Sequence, residues 1–272
     1  MKIKLAKKYT KILLITLALT TVGACKPAAE RLYNEAYAEI ENGHFRIAVD
    51  LLEKSSKLEK KNHLKYKYLS EAARIARFEI QDYERAIRIY KKIILECEEE
   101  GQRVKAQEAV SEIYLENIQN YSSALRELQV LEPLLKESKE NEKIKLKIAQ
   151  AQYLTGNNEQ AIEQINMSLK TSGTETLSFL KLKAQVLVAQ KKYKEAIDIY
   201  QDIYKRDATY FAKENLFIAT SVVYEENEKY EEALEYLNKF EKQIKDKQYF
   251  DLRKRRLKER LVNKPLFKGK RK

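Results

Sequence analysis

Groups able to do chemistry are few in this chain. Its 272 residues include two cysteines, Cys25 and Cys97, and two histidines, His44 and His63. A structural zinc site takes about four Cys, His or carboxylate ligands set close together. Neither histidine has such neighbours, so both read as solvated surface and no metal is expected. The chain has no G-x-S-x-G, no glycine-rich phosphate loop and no H-E-x-x-H, the spacings that build a nucleophile elbow, a phosphate cradle or a zinc protease. Carboxylates are plentiful but interleaved with lysines, so no acid–base pair stands out. The expectation is a chain that is not an enzyme, with no catalytic residue, no cofactor and no small-molecule substrate. Cys97 reads as a packed, inert thiol. Two features stay open: Cys25, and a run of cations near the C-terminus.

Cys25 follows a segment with a clear physical character. Met1–Lys11 holds five lysines and no acid, Ile12–Thr20 is apolar with threonines, and Val22-Gly23-Ala24 precede the cysteine. A charged start, a short apolar run and small residues at a cut site make a secretory signal. The run is shorter than the roughly 20 residues that span a bilayer. With a cysteine at the cut site, Val22-Gly23-Ala24-Cys25 resembles the lipobox of bacterial lipoproteins. The resemblance implies lipidation at Cys25 (palmitate among the acyl chains), cleavage of residues 1–24 and a lipidated tether over 25–29. Lys26 stands where an aspartate holds such proteins at the inner membrane, which implies an outer-membrane lipoprotein facing the periplasm in a Gram-negative host.

The rest of the chain is a repeat. DYERAIRIYKKI at 82–93 returns as KYKEAIDIYQDI at 192–203. Aligned on its alanine, the pattern occurs six times, at Ala48, Ala86, Ala124, Ala161, Ala196 and Ala233, with spacings of 38, 38, 37, 35 and 37 residues. Offsets of −3, +1 and +4 from the alanine are almost always large and apolar, which places them with it on one helical stripe. The small alanine lets a second helix pass close. Five residues before it stand Gly43, Gln81, Gln119, Gly156, Lys191 and Glu228, suited to a tight turn. The template tyrosines Tyr83, Tyr90, Tyr121, Tyr193, Tyr200 and Tyr230 read as core.

This period and pattern resemble the tetratricopeptide (TPR) repeat, whose units are a helix A, a turn and a helix B. The resemblance implies an all-α fold: a right-handed solenoid of about six helix-turn-helix units over 30–245, closed by a basic capping helix at 246–261 and followed by a loose basic tail at 262–272. The small residue expected twelve before the helix-B alanine is Ala36, Ala149, Ala184 and Ser221, but Arg74 and Glu112 in the second and third units. Three prolines and six glycines leave long stretches free for helix. Counting from each alanine, the family's groove positions fall on Tyr37, Phe78, Ile113, Tyr153, Gln185 and Val222, a surface suited to an apolar peptide or helix.

Charge is uneven. The formal +12 combines five lysines in the signal, a net +9 over 251–272 and a net −2 over 25–250. Arg253, Lys254, Arg255, Arg256, Lys258 and Arg260 form the basic face of the capping helix, matched to an anionic surface. Export makes nucleic acid an unexpected partner and points to anionic lipid or wall polymer. Two readings follow. In one, the chain is a membrane-anchored scaffold or assembly factor binding proteins of the cell envelope. In the other, it is an envelope tether whose basic C-terminal end is the active part.

Overall fold

The computed structural model describes residues 26–135, 140–171, 173–244 and 246–263. The signal, Cys25 and the tail from 264 onward lie outside them. The described chain is all-α, without strands. Its fourteen α-helices run as α1 Ala28–Glu41, α2 Phe45–Leu58, α3 Asn62–Phe78, α4 Tyr83–Glu96, α5 Glu100–Glu112, α6 Tyr121–Leu131, α7 Asn141–Leu154, α8 Asn158–Leu169, α9 Thr176–Ala189, α10 Tyr193–Arg206, α11 Ala208–Lys213, α12 Leu216–Glu226, α13 Tyr230–Lys239 and α14 Lys247–Val262.

Every helix B starts at the template's −3 residue: Phe45, Tyr83, Tyr121, Asn158, Tyr193 and Tyr230. The six alanines are fully buried, and so, or nearly so, are the +4 residues Leu52, Tyr90, Leu128, Ile165, Tyr200 and Leu237. Close approach of two helices requires both a small residue at the crossing and large ones beside it. The template tyrosines divide by position. Tyr90 and Tyr200 are core, and burial pushes the Tyr200 hydroxyl up to about 12. Tyr83, Tyr121, Tyr193 and Tyr230 open their helices and are only half-buried, because a first-turn residue has core on one side only.

The turn before each helix B has one signature. The residue five before the alanine is left-handed in all six units: Gly43 and Gly156 at φ +77 and +84, Gln81, Gln119, Lys191 and Glu228 at 58–59. In four units the turn closes on a backbone bond five residues back: His44 to Glu39, Asn157 to Gln152, Lys192 to Leu187 and Lys229 to Tyr224, at 2.8–2.9 Å. Asp82 instead reaches six residues back, to Ala76. The second unit therefore carries one extra residue in its turn. The third unit carries its extra residue inside helix A, where Ile113–Asn117 form a π-helical turn and Ile118 N–H bonds the Ile113 carbonyl. A π turn absorbs one inserted residue without ending the helix.

These two insertions explain why Arg74 and Glu112 fall out of pattern. The small residue of both units sits one position earlier, as Ala73 and Ser111, and both are fully buried. The fully buried Ala36, Ala149, Ala184 and Ser221 stand at the expected place.

The helices cluster into two compact bodies, divided between Gln119 and Asn120. In the first, α1 to α5 pack each on the next. Its core runs from Ala36 through Leu52, Leu69 and Ile93 to Ile113, with the Cys97 thiol inside it. Arg77 is 6 % exposed and ties α3 to the end of helix A in the third unit. Its Nη1 donates to Glu112 and its Nε to Asn117, each at 3.0 Å, and its Nη2 to Glu116 at 3.5 Å. A buried guanidinium needs such partners to offset its lost hydration.

In the second body α7 pairs with α8, α9 with α10, and α12 with α13. The sixth helix A is interrupted, with Asn215 left-handed between α11 and α12. Glu142, at the start of α7, caps the start of α9. Its carboxylate accepts from Gly173 N–H at 2.9 Å, Glu175 N–H at 3.1 Å and Thr174 Oγ1 at 3.1 Å. These bonds, the Gly173 amide foremost, hold its pKa below the usual glutamate value. Helix α14 covers the end of the sixth unit: Phe250 and Leu257 pack with Ala233 and Leu237, while Tyr249 is exposed.

Candidate partner-binding faces

In the first body α1, α3 and α5 are the A helices, and the candidate face lies on α1 and α3. Residues 67, 71, 74 and 78 follow one another at helical spacing, so Lys67, Glu71, Arg74 and Phe78 form one stripe on α3. Tyr33 and Tyr37 are one turn apart on α1, with ring centroids 4.7 Å apart. Tyr33 also stacks on Tyr68 at 4.4 Å. The Lys67 ammonium lies 5.7 Å from the Tyr33 ring. The Tyr37 hydroxyl is pushed up to about 12 by its hydrogen bond with Tyr33, then by burial, with Glu71 adding to the shift. Arg74 and Glu71 are bidentate, at 2.8 and 3.1 Å. The Arg77 guanidinium stacks 4.7 Å from the Phe78 ring centre.

This surface mixes apolar area with held charges. Tyr37 is 40 % and Phe78 55 % exposed, large for aromatic side chains. Glu71 and Arg74 hold each other in place, so a ligand meets a fixed pair rather than two free arms. Aromatic anchors ringed by oriented polar groups are what protein interfaces use for affinity and specificity.

The other groove candidates fare unequally. Ile113 is fully buried: the π turn moves the count by one, so Glu112 takes the position assigned to it and Ile113 turns to the core. The same shift puts Arg74 at the place corresponding to Tyr37. This displacement was legible only as the two missing small residues. In the second body Gln185 is exposed, Val222 half-buried, and Tyr153 half-buried against the Ala149–Phe179 cluster.

The basic helix α14 divides as well. Arg253 is not an outward cation: its Nη2 donates to Glu225 at 2.6 Å, with both side chains largely buried. Arg260 meets the other Glu225 oxygen at 3.3 Å and lies over the Tyr230 ring. Lys254 lies over the Phe250 ring. Arg255, Arg256 and Lys258 face solvent. The break at Asn215 opens a cleft of about 860 Å³, lined by Ala212, Ile218, Ala219, Ile244 and Tyr249 among others. No group of three or more His, Cys, Asp or Glu able to hold a metal occurs among the described residues. None of their helices is long and apolar enough to cross a membrane.

Known proteins share the fold. The family model described as anaphase-promoting complex, cyclosome, subunit 3 matches residues 117–203. A tetratricopeptide repeat protein from Parabacteroides merdae ATCC 43184 superposes with a TM-score of 0.63 at 15% identity, over 87% of this chain and 88% of that one. A MamA protein superposes with a TM-score of 0.52 at 16% identity, over 65% of this chain and 91% of that one. No curated protein sequence matches this one.

Proposed function

We propose that this chain, a tetratricopeptide-like repeat protein, is a lipid-anchored scaffold or assembly factor that holds a partner protein in the bacterial cell envelope. Its repeat fold is one that serves protein–protein interaction. The observation that carries the reading is the helix-A face of the first body, where exposed Tyr37 and Phe78 flank the fixed Glu71–Arg74 pair. The partner is a peptide or helix with apolar side chains for the two rings and a polar group for the ion pair. The anchor is the acylated Cys25, supported by the charged, apolar and small-residue order of residues 1–25. Two or three acyl chains hold a protein at a bilayer stably, at about 0.8 kcal/mol per buried CH₂.

The test is crosslinking in the host followed by capture through a tag inserted before α7, within residues 137–140. The reading predicts a small set of envelope proteins that is lost with Tyr37→Ala and with Arg74→Ala, while thermal unfolding of both variants stays near wild type. Recovery of the same set with both variants contradicts it. Recovery that instead disappears when residues 261–272 are removed favours the basic end as the binding part.

A further inference from the structure

One edge of the first body lies beside the start of its first helix. Ser55 Oγ donates to the Ala29 carbonyl at 2.6 Å, so the last turn of α2 flanks the first turn of α1. Leu58 ends α2 and is 54 % exposed. Around it Lys57, Lys60 and Lys61 are exposed, and no ion pair is recorded for any of the three among the described residues. Nearby cations are engaged: Lys26 with Glu30 at 3.7 Å and Lys65 with Glu96 at 3.2 Å. Glu59 turns back on its own loop and accepts from Lys61 N–H at 2.9 Å. Three exposed lysines therefore lie within three residues of an exposed leucine.

The next loop on this edge has the opposite sign. The Tyr66 hydroxyl donates to the Glu96 carbonyl, which sets the start of α3 beside the end of α4. Loop 97–99 thus shares the edge with loop 59–61, and it carries Glu98 and Glu99, with Glu100 following.

We infer that the Lys57–Lys61 edge docks on an anionic lipid surface, with Leu58 among the headgroups. The inference rests on the reading of Cys25 as the lipidated residue. Only Lys26 and Pro27 separate Cys25 from α1, and three residue steps span at most about 10 Å. A lipid on Cys25 brings the start of α1, and with it this flanking edge, close to the headgroup layer. Each lysine near an anionic leaflet gains about 1 kcal/mol, so three change partition on the order of a hundredfold. The leaflet repels Glu98–Glu100, so the first body is tilted, with loop 59–61 down and loop 97–99 lifted.

The experiment uses the full lipidated chain in vesicles of phosphatidylcholine, with or without phosphatidylglycerol. An environment-sensitive fluorophore is attached at Leu58→Cys or, for comparison, at Ile47→Cys at the other end of α2; the native Cys97 is buried. The docked edge predicts blue-shifted emission at position 58, quenched by brominated lipid, in anionic vesicles only. Position 47 stays in water, and Lys57→Gln with Lys60→Gln and Lys61→Gln returns position 58 to its neutral-vesicle emission. Water-like emission at position 58 in anionic vesicles, with the protein anchored, overturns the docking. The probe reads position 58 itself, so lipid held by α14 does not register. Fractionation of Cys25→Ala tests the anchor separately: unchanged membrane recovery overturns the anchor, whereas release leaves the fluorescence to judge the edge alone.

Discussion

Gly156 and Lys191 occupy the same place in successive units and meet opposite backbone costs. Both are left-handed, at φ +84 and 59. A side chain in that region costs about 1–2 kcal/mol, which glycine does not incur. A Cβ at Gly156 would meet nothing within 4 Å, so only the backbone term operates. Gly156→Ala is expected to destabilise the protein by about 1 kcal/mol. Lys191→Gly relieves strain but loosens the unfolded chain, for a net gain of about 0.5 kcal/mol. Thermal or urea unfolding of the two variants checks the opposite signs. The buried alanines carry a larger effect: Ala196→Leu forces extra volume between α9 and α10 and is expected to cost about 1–3 kcal/mol. No change in unfolding on that substitution would show that the helices do not cross there. The turn position was legible in the sequence as a place for glycine or polar residues. That four non-glycine residues accept positive φ was not, because their types fit ordinary turns equally well.

At the scale of elements, local pattern and tertiary contact divide the legible from the hidden. Helix-B starts follow from a stripe of residues within each copy, so they could be counted from the alanines. The helix-A count failed in two units because one inserted residue can be absorbed in a turn, as before Asp82, or in a π turn, as at Ile113–Asn117. Composition does not distinguish the two, and the groove list lost Ile113 as a result. The same limit hid Glu142, which serves a helix start about thirty residues away. Its pKa is lowered in the fold by the Gly173 and Glu175 amides and the Thr174 hydroxyl. A lowered carboxylate pKa gives stability present above the unfolded value and lost as the pH falls through the folded one. Glu142→Gln is therefore expected to unfold earlier than wild type at pH 7, with the gap closing once the pH drops below the lowered pKa. A gap that persists at low pH would contradict the charge-assisted cap. Arg77→Ala removes the tie between α3 and the π turn, three hydrogen bonds from a buried guanidinium, and is expected to cost about 1–3 kcal/mol, read in a denaturant melt.

For the whole molecule, the repeats were legible in the sequence because each copy carries its own alanine-centred stripe. A net −2 over residues 25–250 and a net +9 over 251–272 assign opposite characters to the solenoid and its cap. The cap uses part of that charge itself, since Arg253 is spent on Glu225. The division into two compact bodies falls between Gln119 and Asn120, where no proline- or glycine-rich stretch marks it in the sequence. The proposed function places the partner on the helix-A face around Tyr37. The most direct measurement is a photo-crosslinking residue at position 37, compared in the same cells with one at the exposed Ile47 on the helix-B side of the first unit. A partner on this face gives a discrete protein adduct at 37 that is absent at 47 and fades on Arg74→Ala. The same adducts at both positions, or none at 37 while those at 47 persist, would contradict it.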